Sequence, residues 1–179
     1  MRILGAVLAG GRSSRFGSDK ALAMLEGRPL IAHAIQALAA HADTVVSCGR
    51  TWPGLVSIRD NPAGGHGPLA GLNAALRHAA ENGYDTVLCA PIDVHPLPNA
   101  LRLLMAESPA VLQTQWAVGH WPATLSPALD CHLASGALSI RSWLQASGAQ
   151  LIDDAHLGLR NINFAEDLPG PLIPPAEPL

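Results

Sequence analysis

Charge is scarce in this chain: Asp, Glu, Lys and Arg together account for 14% of its 179 residues. Beside a hydrophobic content of 49%, that scarcity excludes a disordered polymer and predicts a folded domain with a substantial core. One domain is expected over residues 1–168, followed by a Pro-rich tail over 169–179 that reads as extended and irregular. The formal net charge of −3 leaves no general basic surface. Nucleic acid is therefore excluded as a partner, and any anion site must be local.

Other absences narrow the class further. Cys48, Cys89 and Cys131 are widely spaced, with no C-x-x-C pair, so they read as core residues of a reduced protein and not as zinc ligands. The first apolar run, Ile3 to Leu8, follows a single arginine and ends in glycines, too short for a signal peptide. No stretch approaches the length of a membrane span, so a cytoplasmic protein without a membrane partner is expected. The P-loop pattern is missing, because Lys20 lies between Asp19 and Ala21, and the dinucleotide fingerprint G-x-G-x-x-G is absent from the first turn.

What is present is a buried-type strand that empties into a cationic glycine loop. Ile3 to Leu8 runs into Ala9-Gly10-Gly11, then Arg12 and Arg15, a further turn at Gly17, and Asp19-Lys20. Glycines let backbone N–H groups approach phosphate oxygens without a Cβ in the way. Arginine and lysine then neutralise the charge, one as a planar fork and the other as a point charge.

Beyond Lys20, apolar periodicity predicts helices opening at Pro29, Pro68 and Pro98, each with proline in the first turn. Strands are predicted at Thr44 to Cys48, Leu55 to Arg59, Asp85 to Ala90, Val111-Leu112 and Leu151-Ile152. A helix is expected over Ala137 to Leu144 and a short one over Ala165 to Leu168, while Trp116 to Leu125 fits no pattern. Strands alternating with helices imply an α/β fold with a mainly parallel sheet, in which ligands bind beyond the carboxyl ends of the strands. Gly10-Gly11, Asp60 and Asp93 all fall on that side.

Asp93 closes Pro91-Ile92-Asp93, just past an apolar strand. A carboxylate facing a polyphosphate adds repulsion unless a divalent cation lies between them, and magnesium suits one or two carboxylates plus phosphate oxygens. Capping of the helix at Pro98 is too distant to explain it. Asp60-Asn61-Pro62 reads as turn chemistry by itself. It leads, however, into Gly65-His66-Gly67-Pro68-Leu69-Ala70-Gly71-Leu72, whose glycines and helix N-terminus suit a nucleotide.

Leu8, Ala9, Gly10, Gly11, Ser13 or Ser14, Arg15, Gly17, Asp19 and Lys20 together resemble the signature L-A-G-G-x-S-x-R-x-G-x-D-K of the molybdenum cofactor guanylyltransferases, a MobA-like nucleotidyltransferase family. The resemblance extends to P-x-D at Pro91 to Asp93, to G-x-G-P-L-A-G-L after Asp60, and to N-I-N-T-P-E-D-L at Asn161 to Leu168. It implies a Rossmann-like three-layer sandwich of the nucleotide-diphospho-sugar transferase type. It also implies transfer of GMP from GTP to the terminal phosphate of a molybdopterin-type acceptor, with release of pyrophosphate. Cofactor-assembly proteins or molybdoenzymes would be the protein partners. By the same resemblance, backbone amides of Leu8, Ala9, Gly10 and Gly11 hold nucleotide, Asp60 contacts it, Arg15 and Lys20 stabilise phosphate charge, and Asp93 binds Mg²⁺.

Asn161 to Leu168 serves as a fold marker, since Asn163 with Glu166 also reads as helix capping. Trp121-Pro122 falls where relatives have His-Pro; Trp116 and Trp121 read as buried aromatics that are also able to pack on a pterin ring. The chain departs from the family pattern at Ser47-Cys48-Gly49-Arg50, which lacks the Asn that contacts guanine. Arg141 is the sole Lys or Arg between Trp121 and Arg160, a weakly basic acceptor side. Cytidylyl transfer from CTP and a nucleotide-binding module without transfer activity are the alternatives, although Gly10-Gly11 and Asp19-Lys20 favour the guanylyl class.

Overall fold

The computed structural model describes residues 1–10, 19–63 and 67–168. Among these, one sheet holds β1 (Ile3–Leu8), β2 (Thr44–Cys48), β3 (Val56–Ile58), β4 (Thr86–Pro91), β5 (Ala110–Leu112), β6 (Gly119–Pro122) and β7 (Gln150–Ile152). Their spatial order is β7-β5-β6-β4-β1-β2-β3. Every neighbouring pair is parallel except those of β6, which runs antiparallel to both β4 and β5.

The helices are α1 (Leu30–Ala39), α2 (Pro68–Glu81), α3 (Pro98–Leu104), α4 (Ser126–Ala134) and α5 (Ile140–Ser147). Strand alternation sends successive side chains to opposite faces, so β1 feeds two cores. Ile3 and Val7 join the apolar stripes of α1 and α3, while Leu4, Ala6 and Leu8 join those of α2, α4 and α5. The result is the anticipated three-layer α/β sandwich with a mainly parallel sheet.

The order in which strands are added reverses between β1 and β4, since β2 and β3 extend to one side and β4 to the other. Leu8 of β1 is paired with Cys48 of β2 and Pro91 of β4, so these three strands end at one level. The loops carrying Gly10, Gly49-Arg50 and Asp93 therefore emerge side by side, at the crevice where such sheets bind ligands.

Several expectations need correction. The stretch from Trp116 to Leu125 holds β6, inserted against the direction of its neighbours. Helix α4 has no counterpart among the sequence expectations. Helix α5 starts at Ile140, where the Ser139 hydroxyl accepts from the Ser142 N–H (3.1 Å), and ends at Gly148 in the left-handed region. Pro29 precedes α1 as its N-cap. Cys48 and Cys89 are buried as expected, but Cys131 is exposed on α4. Residues 169–179 lie outside the described part. Among the described residues no helix is long and apolar enough to cross a membrane.

Asp154, 1% exposed, ties the end of β5 to the segment after β7. Its carboxylate accepts from the Thr114 N–H (3.0 Å) and the Thr114 hydroxyl (2.6 Å). Hydrogen bonds to a buried charge contribute about 1.5–3 kcal/mol each, and removing the acceptor strands the donors. Asp154→Ala is expected to lower stability by about 2–3 kcal/mol, read as a lower urea midpoint at unchanged slope.

Candidate active site

The left half of the crevice is built around Asp60. The Ala9 N–H donates to Cys48 O (3.0 Å) and the Gly49 N–H to Ile58 O (2.8 Å), which prolongs the pairing of β1, β2 and β3 past their ends. Gly10 and Gly49 are thereby pressed against the Asp60 carboxylate. A Cβ on Gly10 would lie 2.4 Å from Asp60 Oδ2, and one on Gly49 would lie 2.5 Å from Gly10 Cα and 2.8 Å from Asp60 Oδ1. Gly49 also has φ +77°, where side chains are disfavoured. On this backbone a side chain at position 49 would clash with Gly10 and Asp60.

A buried network holds Asp60 in place. The Asn61 N–H donates to Ala70 O in α2 (3.0 Å). Asn73, 1% exposed, donates from Nδ2 to Asn61 O (3.1 Å) and to Asp130 Oδ1 in α4 (2.7 Å), which also accepts from Asn61 Nδ2 (3.3 Å). Burial pushes the Asp60 carboxyl above the ordinary carboxylate range, and its Oδ1 has no hydrogen-bond partner among the described residues. Asp60 opens onto a cavity of about 360 Å³ lined also by Gly49, Arg50, Thr51, Ser57 and Arg59.

On the right half, Lys20 and Asp93 meet across the β1–β4 reversal. Lys20 Nζ lies 2.9 Å from Asp93 Oδ2, both side chains being largely buried. Lys20 belongs to a short 3₁₀ turn, Lys20–Leu22, whose N-cap Asp19 accepts from the Ala21 N–H (3.2 Å). Arg50 donates from Nη1 to Asp19 Oδ1 (2.7 Å) and from Nη2 to Oδ2. That guanidinium fork holds the Asp19 carboxyl below the ordinary range.

The late Asn161–Asn163 segment joins the same place. Arg160-Asn161 pairs antiparallel with Val94-His95, and the Ile162 N–H donates to Asp93 O (2.8 Å). Asn163 Oδ1 then lies 3.5 Å from Lys20 Nζ. The expected capping by Asn163 and Glu166 is replaced by Asp167, whose Oδ2 accepts from the Asn163 N–H (2.7 Å) and the Phe164 N–H (2.8 Å). This reach back frees the Asn163 side chain to turn toward Lys20.

Of the anticipated site residues, Leu8, Ala9, Gly10, Lys20, Asp60 and Asp93 converge on one crevice. Gly11, Arg12, Arg15 and Gly17, with Gly64 to His66, lie outside the described residues. Trp121 is 1% exposed and packs on Trp143 at 6.1 Å between ring centroids, so it is core and unavailable to a ligand. Trp116, expected to be buried, is 36% exposed. Sequence reasoning missed Arg50, Asn73 and Asp130 as organisers of the site. For Arg50 the available signal was a cation directly after the glycine that ends β2.

The raised Asp60 carboxyl has a definite sign for stability. Below its unfolded value both states are protonated and no cost arises. As pH rises the unfolded chain ionises first, so folding is penalised up to the folded value and by a constant amount above it. Asp60→Asn is therefore expected to raise Tm at pH 7 by about 2–4 °C, with the difference vanishing near pH 3, as followed by thermal unfolding across pH.

A family model described as the MobA-like NTP transferase domain matches residues 5–156. A molybdenum cofactor guanylyltransferase of Acidiphilium cryptum is 30% identical over 90% of this chain and 83% of its own. One from Rhodobacter capsulatus is 34% identical over 94% of each chain. The fold is shared with the molybdopterin-guanine dinucleotide biosynthesis protein A of Archaeoglobus fulgidus, at TM-score 0.64 and 21% identity over 86% of this chain and 85% of that one. By sequence and by fold, then, the chain belongs to the MobA-like NTP transferase family.

Proposed function

We propose that this protein transfers GMP from GTP to the terminal phosphate of a molybdopterin-type acceptor. An acceptor phosphate oxygen attacks the α-phosphorus, the bond from that phosphorus to the bridging oxygen breaks, and pyrophosphate leaves. The acceptor is already anionic, so no general base is required. The observation that carries this reading is the convergence of a carboxylate-and-glycine cradle at Asp60 with a Lys20–Asp93 pair across one crevice. The names of the relatives add support for the guanylyl donor.

Each half of the crevice has a part. The backbone from Leu8 to Gly11 would line the nucleotide, the Ala9 N–H remaining with Cys48 O. Asp60 would contact the nucleotide from the cavity it lines. Lys20, with Arg15 from the same motif, would stabilise charge on the α-phosphate and on the departing pyrophosphate. Catalysis on this scheme is positioning and charge neutralisation.

Magnesium is part of the proposal: Asp93 supplies a carboxylate and the Asn163 amide oxygen faces the same lysine, hard oxygen donors of the kind the ion takes together with phosphate oxygens. Asp93 would hold the ion, which when bound would neutralise triphosphate charge. Lys20, now on Asp93, would move its ammonium onto the phosphates. The acceptor side carries little charge, so acceptor delivery by a cofactor-assembly protein or a recipient molybdoenzyme is part of the proposal.

Purified protein with Mg²⁺, acceptor and each nucleoside triphosphate in turn is expected to release pyrophosphate with GTP. Turnover with CTP alone would move the assignment to cytidylyl transfer, and binding without turnover would leave a nucleotide-binding module. Asp93→Ala is expected to lower turnover by at least about 10²-fold without shifting the circular dichroism spectrum; unchanged turnover would remove Asp93 from the mechanism.

A further inference from the structure

We propose that Arg50 is a positioning residue for the phosphate side, acting through Asp19 on Lys20; this rests on the nucleotidyl-transfer reading above. The guanidinium reaches from the loop after β2 and forks onto both oxygens of Asp19, with Nη1 to Oδ1 at 2.7 Å. Asp19 Oδ1 also accepts from the Ala21 N–H at 3.2 Å, so the same carboxylate caps the turn that carries Lys20. Lys20 in turn reaches Asp93 Oδ2 at 2.9 Å. Two polar contacts, Arg50 to Asp19 and Lys20 to Asp93, are thus joined through the short turn that Asp19 caps and Lys20 opens.

Two features separate positioning from plain stabilisation. The Arg50 and Asp19 side chains are partly exposed, at 28% and 37%, so solvent screening leaves their pair a modest contribution to folding stability. Arg50 also lines the cavity onto which Asp60 opens, so its backbone belongs to the nucleotide half while its fork holds the phosphate half. One residue thus sets the spacing between the two. Lysine cannot replace it, since an ammonium provides a point charge without the planar fork.

The chain holds a single lysine, Lys20, which gives a readout independent of turnover. Reductive ¹³C-methylation keeps the charge and labels only Lys20 and the N-terminus. Arg50→Ala and Asp19→Asn are each expected to shift the Lys20 methyl resonance. Each is also expected to lower kcat on the order of 10²-fold while Tm stays within about 2–4 °C of wild type. Arg50→Lys should recover only part of the rate. Adding Arg50→Ala to Lys20→Ala should cost nothing further. An unmoved Lys20 resonance, an equal kcat loss in both backgrounds, or a loss confined to Tm would overturn the inference. Absence of GTP turnover in the wild type overturns the donor assignment instead, because the Lys20 resonance still reports on Arg50.

Discussion

Close backbone approach around a desolvated carboxylate is the constraint on which the nucleotide half of this protein depends. Asp60 lies where the continuations of β1 and β2 nearly touch, and Gly10 and Gly49 are the residues that permit it. The same packing denies the carboxylate much of its hydration and raises its proton affinity. Asn61, Asn73 and Asp130 hold the turn through hydrogen bonds to one another beneath it.

The other half of the crevice is organised by an ion pair. Lys20 and Asp93 neutralise each other at 2.9 Å, with side-chain exposures of 13% and 26%. Separating a pair this buried is costly unless each member gains a replacement partner. On the proposed scheme a metal-bound triphosphate would provide both at once, phosphate oxygens for the lysine and a cation for the carboxylate, whereas either part by itself would leave one charge stranded.

Much of the fold was legible because its governing physics is local. Buried parallel strands appear as continuous apolar runs, and prolines at 29, 68 and 98 mark the starts of three helices. The crevice followed from topology, since Gly10, Asp60 and Asp93 each trail a strand. β6 was obscure because Gly119-His120-Trp121-Pro122 is neither a plain apolar run nor a clean alternation, its pairing being set by β4 and β5. Helix α4 buries only Ser126, Leu129 and Leu133, too sparse a stripe to stand out. Asn163 was misread for a different reason: capping and tertiary contact use the same residue types. Only the reach of Asp167 back to the Asn163 N–H separates the two. Arg50 finds Asp19 across 31 positions, a distance no local pattern encodes.

The antiparallel ladder between Arg160-Asn161 and Val94-His95 has a bearing on how the protein comes into being. Gly10, Gly49, Asp60 and Gly71 all belong to the first part of the chain, and Asp130, which braces their turn, comes from α4. Asn163 stands 143 positions beyond Lys20 and arrives last, folding back over a loop that already exists. The polar contacts around Lys20 are therefore complete only once Arg160-Asn161 has paired with Val94-His95, so that side of the crevice depends on a segment far along the chain.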